Sequence, residues 1–349
     1  MTPHPIELIR VRGGHRGIGL QIGQACAGSI RAMLDPAPKI PSGRTQAEQL
    51  ELASRYREAT AEAIPRVVEE IDGIAEGAGV DPLSLFASGI EEIWYKPYPR
   101  GGCSDLVAVP PAIASGHMLV AHNNDLYPRD EEPLVAIERS VPDEPIVFTI
   151  GVGPWPSVGF NSAGISCTGN ELSPNDERIG IPRLMQFLAM ISQPTLAAAR
   201  ELALHPRRAS SYNNILVSRD GEAVNIEGSA TDAELTGPDE RGVFAHTNHY
   251  ACERMLPFEG DHVYAKGSAV RLRRARELLE AGAGSITTDS LRQMLSDHAT
   301  APDSLCRHPE PGMEDASKTV FWYVADVTEM RILYGRGNPC DSTEQKYRF

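Results

Sequence analysis

Apolar and polar positions alternate over residues 6–11, a spacing that predicts a strand. Gly13-Gly14-His15-Arg16-Gly17 ends it and leads into a helical stretch to about residue 33, then a Pro- and Gly-rich loop over 35–43. Between residues 46 and 79, Leu52, Tyr56, Ala59, Ala63, Val67, Ile71 and Ile74 recur at helical spacing, with a break near Pro65, whose ring removes a backbone donor. Asp81-Pro82 opens a further short helix whose apolar run, Leu83, Leu85, Phe86 and Ile90, leads towards Trp94-Tyr95. At Gly101-Gly102-Cys103 the texture changes to short strands joined by turns. The spacing predicts strands at 105–109, 118–122, 146–152, 157–160, 165–168, 214–218, 223–227, 242–246, 320–324 and 330–334. Helices are predicted at 182–191, 196–204, 269–281 and 288–297. Strands and helices in blocks, without strict alternation, imply an α+β fold of antiparallel sheets packed against helices. No internal repeat or low-complexity tract interrupts the pattern.

Composition narrows the function classes. The 349 residues carry 33 Lys+Arg against 47 Asp+Glu, a formal charge of −14, which repels phosphate and argues against nucleic acid and anionic membranes as partners. His205-Pro206-Arg207-Arg208 and Arg271-Leu272-Arg273-Arg274 are short basic clusters that fit a loop and a solvated helix face. No stretch approaches the roughly 20 apolar residues of a membrane span, and Met1-Thr2-Pro3-His4-Pro5 has no signal-sequence character, so the expected location is the cytoplasm. Cysteines at 26, 103, 167, 252, 306 and 340 form no CxxC pair and no zinc spacing; no metal and no external cofactor are expected.

Common catalytic signatures are absent. Gly164-Ile165-Ser166-Cys167-Thr168 fails the GxSxG pattern at its last position, and the chain has no phosphate loop, dinucleotide fingerprint or HExxH. Gly102-Cys103 stands out because it joins a permissive backbone to a thiol at the start of a strand. A cut at this bond makes Cys103 an amino-terminal residue whose α-amine, with an ordinary pKa of about 7.7–8.0, can take the thiol proton. A hairpin centred near residue 113 or 114 brings Asn123-Asn124-Asp125 back opposite Cys103. The same residues fit a structural hairpin with a buried cysteine and an Asx-rich turn.

Gly102-Cys103 followed by 118–125 resembles the processing site and first hairpin of the acyl-coenzyme A:6-aminopenicillanic acid (isopenicillin N) acyltransferase family, among the amino-terminal-nucleophile (Ntn) hydrolases. Further matches are Phe160-Asn161-Ser162-Ala163-Gly164-Ile165 with Gly169-Asn170, His246-Thr247-Asn248-His249-Tyr250, Ser268-Ala269-Val270-Arg271, Cys306-Arg307-His308 and Gly337-Asn338-Pro339-Cys340. The resemblance runs in order from about residue 6 to 346. It implies a four-layer αββα sandwich formed by one domain, residues 1–349. It also implies self-cleavage of this zymogen into a mainly helical α chain, 1–102, and a strand-rich catalytic β chain, 103–349, which stay together as a heterodimer.

By the same resemblance Cys103 attacks the Gly102 carbonyl in the precursor and later the acyl carbonyl of a small-molecule amide or acyl-thioester. Asp125 orients the new α-amine, Asn248 donates to the oxyanion, Asn170 is a second amide near the site, and Arg271 favours the thiolate by its charge. Asn124, His246, His249 and Tyr250 are expected around the substrate. Asn124 stands where many members have Trp, and Tyr250 where they have Phe; both add polarity to a pocket that phenylacetyl-type groups would require to be apolar.

The expected activity is therefore cysteine-dependent amide cleavage or acyl transfer. Other readings are a dedicated amidohydrolase, a binding module that keeps the fold and never matures, and a metal-dependent hydrolase using His246 and His249. Cys306-Arg307-His308 also invites a dyad reading, although near neighbours on a chain seldom aim their side chains together.

Overall fold

A computed structural model describes residues 4–35, 44–94, 102–260, 265–309 and 311–349. Residues 36–43 of the predicted loop, with Tyr95 and Gly101, lie outside them. The first strand, β1 (Glu7–Arg12), is followed by α1 (His15–Ala25), α2 (Ala27–Leu34), α3 (Gln46–Ala63), α4 (Pro65–Ala78), α5 (Pro82–Ser88) and α6 (Glu91–Trp94). Local chemistry sets these boundaries. Thr45 and Glu48 form a reciprocal capping box at the start of α3, Pro65 occupies the first turn of α4, and Gly79 ends α4 in the left-handed region at φ 67°. Helices α1 and α4 cross closely because each presents two glycines to the other: a Cβ at Gly19 or Gly73 would fall 2.1 or 2.2 Å from a carbonyl oxygen of the facing helix.

The hairpin that carries the candidate nucleophile is β2 (Gly102–Ala108) and β3 (Leu119–Leu126). Strands β4 (Leu134–Ser140), β5 (Val147–Val152), β6 (Trp155–Asn161) and β7 (Ile165–Asn170) follow, then α7 (Arg183–Ile191) and α8 (Leu196–Ala203). Next come β8 (Asn213–Ser218), β9 (Ala223–Gly228), β10 (Ala233–Thr236) and β11 (Val243–His246). The chain ends with α9 (Ala265–Gly282), α10 (Thr288–Leu295), β12 (Lys318–Asp326), β13 (Arg331–Arg336) and β14 (Gln345–Arg348).

Two sheets result. The larger has the order β1-β4-β5-β6-β7-β8-β9-β10, and the smaller β11-β2-β3-β12-β13-β14. All pairings are antiparallel except β1 with β4, which run parallel. The sheets face each other across an apolar layer that includes Val107, Val120, Phe148, Ile150, Phe160, Phe321 and Tyr323. The outer face of the larger sheet is covered by the amino-terminal helices and by α7 and α8, and that of the smaller by α9 and α10. The layers are therefore αββα. At about 1.5–3 kcal/mol for each fully buried large apolar side chain, the cores are what hold the layers in register.

Segments on either side of Gly102 share these cores. Val135, Ile137 and Trp155 pack with the amino-terminal helices, β1 pairs with β4, and the Gln345 side chain bonds both the backbone N–H and carbonyl of Ile6. A buried ion pair, Arg139 Nε to Glu70 Oε1 at 2.9 Å, ties β4 to α4. Among the described residues no helix is long and apolar enough to cross a membrane.

Candidate active site

The register of β2 against β3 pairs Gly102 with Asp125 and Cys103 with Asn124, as the predicted hairpin requires. On its other side β2 pairs with β11 only as far as Asp105 opposite His246, where β11 ends. The chain then leaves the ladder, and the Asn248 side chain takes the place of a strand. Its Oδ1 accepts the Cys103 backbone N–H at 2.8 Å, and its Nδ2 donates to Cys103 Sγ at 3.0 Å and to the Glu171 carbonyl at 3.2 Å. One amide thus brackets both the nitrogen and the sulfur of Cys103.

Helix α9 holds this arrangement through two residues three apart, which share a helix face. Ser268 Oγ accepts the Asn248 backbone N–H at 2.7 Å, and the Ser268 carbonyl accepts the Thr247 hydroxyl at 3.0 Å. Arg271, fully buried, donates from Nη1 to the Cys103 carbonyl at 2.6 Å and to Ser104 Oγ at 2.9 Å, and from Nη2 to Asn248 Oδ1 at 2.9 Å. A Cβ at residue 102 would lie 2.6 Å from Arg271 Nη2 and 3.1 Å from Asn248 Oδ1, so glycine leaves the space that the guanidinium occupies.

Burial pushes the Cys103 thiol up to about 12, with Asp105 adding to the rise; the Asn170 and Asn248 side chains and the Glu171 backbone N–H oppose it by donating toward the sulfur. Burial also raises Asp125, against the opposing pull of Arg271 and Arg307. Asp125 Oδ1 accepts the Thr319 hydroxyl at 2.7 Å, while Oδ2 has no hydrogen-bond partner among the described residues.

Beyond the sulfur, a chain of buried polar groups crosses between the sheets. Asn124 Oδ1 meets His122 Nε2 at 3.2 Å, and His122 Nδ1 meets both oxygens of Asp105 at 3.1 Å. Asn170 Nδ2 donates to Asp105 Oδ2 at 2.8 Å, and Asn170 Oδ1 meets His246 Nδ1 at 2.9 Å. His246 Nε2 in turn meets Glu227 Oε1 at 2.9 Å. Burial works against a charged His122, yet the Asp105 carboxylate, helped by Asn124 and Asp125, outweighs it and holds the imidazole above its ordinary pKa. Burial likewise disfavours a charged Glu227, but His246 and the backbone N–H groups of Cys252 and Ala251 keep it below the usual range.

The fold thus gathers Gly102, Cys103, Asn248 and Arg271 into direct contact, sets Asp125 beside Gly102 in register, and reaches Asn170 through the sulfur and Asp105. Asn124 lies opposite Cys103 with its Nδ2 buried and unpartnered among the described residues. His246 belongs to the polar chain, His249 Nδ1 meets Ser268 Oγ at 2.7 Å, and Tyr250 donates its hydroxyl to the Gly228 carbonyl at 2.7 Å. Sequence reasoning missed Asp105, His122 and Glu227. Their signal was charged or ionisable residues inside apolar strand patterns, each of which needs a buried partner. It also missed a convergence of His298, Cys306, His308 and Cys340, whose ligand atoms all lie within 4.8 Å of one another. Cys306 Sγ and His308 Nε2 stand 3.6 Å apart, contrary to the expectation for near neighbours; in an extended segment, residues two apart share a face.

The profile described as acyl-coenzyme A:6-aminopenicillanic acid acyl-transferase matches residues 114–341, more than half of the chain. The 40 kDa form of acyl-coenzyme A:6-aminopenicillanic-acid-acyltransferase from Emericella nidulans is 27% identical over 345 residues, covering 96% of this chain and 94% of that protein. Among solved structures, a conjugated bile acid hydrolase variant from Clostridium perfringens is similar at 12% identity and a TM-score of 0.47, covering 71% of this chain and 97% of its own. Penicillin V acylase from Agrobacterium tumefaciens is similar at 12% identity and a TM-score of 0.44, covering 67% and 83%. The chain belongs to the acyl-coenzyme A:6-aminopenicillanic acid acyl-transferase family.

Proposed function

We propose that the protein is a self-activating cysteine amidohydrolase or acyltransferase of the Ntn type, acting on a linear amide or thioester through an acyl-enzyme on Cys103. The observation that carries this reading is the Asn248 side chain, which accepts the Cys103 N–H at 2.8 Å and donates to the sulfur at 3.0 Å, next to the Gly102 carbonyl that the thiol would attack. In the precursor, Cys103 Sγ loses its proton and adds to the Gly102 carbonyl carbon. The C–N bond then breaks, the nitrogen takes a proton, and water hydrolyses the resulting thioester. The products are residues 1–102 with a new carboxylate and residues 103–349 with a free α-amine. The shared cores support their remaining together as an α/β heterodimer.

In the mature form the α-amine removes the thiol proton, the sulfur adds to the substrate acyl carbon, and the leaving amine or thiol departs with a proton. Asn248 Nδ2 is the donor for the developing oxyanion, worth on the order of 3 kcal/mol in such sites. Arg271 fixes the strand start by its bonds to the Cys103 carbonyl and Ser104, and Asn170 donates toward the sulfur. The unpartnered, buried oxygen of Asp125 supports its role as the acceptor for the new amine. Asn124, opposite the nucleophile, is the first candidate to touch substrate; His246, His249 and Tyr250 remain candidates to line the pocket.

Intact mass under denaturing conditions tests the reading. Two fragments breaking between Gly102 and Cys103 in the wild type, against one uncut chain in Cys103→Ala, is the expected result. A single uncut wild-type chain would overturn it in favour of a binding module. Product analysis with and without an amine acceptor separates acyl transfer from hydrolysis.

A further inference from the structure

The chain carries a second group of chemically potent side chains, apart from the nucleophile. His298 follows α10, Cys306 and His308 lie in the segment leading to β12, and Cys340 lies between β13 and β14. Four contacts define their geometry: Cys306 Sγ to Cys340 Sγ 3.6 Å, Cys306 Sγ to His308 Nε2 3.6 Å, Cys340 Sγ to His308 Nε2 3.4 Å, and His308 Nε2 to His298 Nε2 3.1 Å. Zinc binds thiolate sulfur at about 2.3 Å and imidazole nitrogen at about 2.0–2.1 Å. A regular tetrahedron with those arms has edges of about 3.8 Å between sulfurs, about 3.5 Å between sulfur and nitrogen, and about 3.3 Å between nitrogens. The four observed separations follow this order, and all four ligand atoms lie within 4.8 Å of one another.

We infer that His298, Cys306, His308 and Cys340 form a structural zinc site of the Cys2His2 type. Two thiols lose their protons to solvent on binding, so two thiolates balance the charge of one divalent ion. Four protein ligands fill the tetrahedron and leave no position for substrate, which makes the ion a clamp and not a Lewis acid. One neighbour favours a thiolate: Asn338 Nδ2 donates to Cys306 Sγ at 3.3 Å and to the Arg307 carbonyl at 2.8 Å. Cys306 is buried, whereas His298, His308 and Cys340 are exposed, which gives the ion a path from solvent. The clamp would join the stretch from His298 to His308 to Cys340, which lies 34 residues beyond Cys306.

The test uses the full-length reduced protein, purified without a polyhistidine tag. Elemental analysis is expected to find one zinc per chain. After chelation, Co2+ is expected to produce the thiolate-to-cobalt charge-transfer band and intense d–d bands of a tetrahedral site, with Zn2+ displacing it. Zinc is expected to shield Cys306 and Cys340 from alkylation in a peptide map, and chelation to expose them. Cys340→Ser and His298→Ala should abolish the cobalt spectrum, and Asn338→Ala should weaken binding about 10- to 100-fold. The inference is overturned if the reduced wild type gives neither zinc nor the cobalt bands. It is equally overturned if the metal persists in the Cys340→Ser, His298→Ala double variant, or if the freshly purified chain holds a Cys306–Cys340 disulfide.

Discussion

Cys103 and Cys306 are both buried and both accept an amide hydrogen bond, from Asn248 at 3.0 Å and Asn338 at 3.3 Å, yet the company they keep differs in kind. Around Cys103 stand donors and a compact backbone: two amides, the Glu171 N–H, and the Arg271 guanidinium where a side chain at 102 would be. Around Cys306 stand other ligands with lone pairs, one sulfur and two imidazoles, all within 4.8 Å of one another. Donors converging on one sulfur stabilise negative charge there and on the oxygen of whatever it attacks. Acceptors converging on one point call for a cation. The contrast separates the thiol we propose to react from the thiol we infer to bind.

The sharpest way to break this contrast is Cys103→Ala. It should abolish both self-cleavage and turnover while leaving zinc content at one per chain, measured by intact mass, product assay and elemental analysis on one sample. Loss of the metal in that variant would show that the two thiols are not independent. Next in size is Arg271→Leu, which strips a buried cation from Cys103, Asn248 and the nearby Asp125. Removing one partner of a buried charge cluster costs about 3–5 kcal/mol, so urea unfolding should show a loss of that order. A loss below about 1 kcal/mol would mean that the guanidinium contributes little to the fold. Asn248→Ala should lower kcat of the cleaved enzyme about 10²–10³-fold. An unchanged kcat would remove Asn248 from the oxyanion role.

Much of the site is legible in the amino-acid sequence. The Cys103–Asn124 pairing followed from counting residues to the centre of a hairpin, because register is rigid once one face is buried. Strand β4 was not foreseen: Leu134 and Ala136 face the sandwich core while Val135 and Ile137 face the helices, so no alternation marks it. The short β10 and β14 carried too few residues to stand out. Asp105, His122 and Glu227 were not legible as a group, since their partners come from strands far apart in sequence. The cluster at His298, Cys306, His308 and Cys340 escaped because its second cysteine lies 34 residues beyond the first, outside any local spacing rule.

pH dependence sharpens the contrast on a smaller scale. With the uncut thiol pushed up to about 12 by burial, self-cleavage that proceeds through thiolate should quicken about tenfold per pH unit through the neutral range. In the proposed mature form the α-amine is the base, ordinarily near about 7.7–8.0, and the rate should level off above that range. Identical profiles for cleavage and turnover would contradict the change of base at maturation.

The smallest expected effect concerns whether the two cysteine sites communicate. Arg307 sits between two of the inferred zinc ligands; its N–H donates to Thr319 Oγ1 at 3.0 Å, and that hydroxyl donates to Asp125 Oδ1 at 2.7 Å. A loosened 306–308 segment therefore has a physical route to the carboxylate beside Gly102. Thr319→Val cuts the route and removes a bond that lowers the Asp125 pKa, at a cost of about 1–3 kcal/mol for the polar groups it leaves unpaired. If the route carries the coupling, chelation slows self-cleavage several-fold in the wild type and adds nothing in Thr319→Val, a non-additivity of about 1 kcal/mol in a two-way cycle. Equal slowing in both backgrounds would mean that the clamp acts on the fold as a whole. Either way, sensitivity to chelators alone would not implicate His246 and His249 as metal ligands, because these two rings are turned to different partners, Asn170 and Glu227 for one and Ser268 for the other.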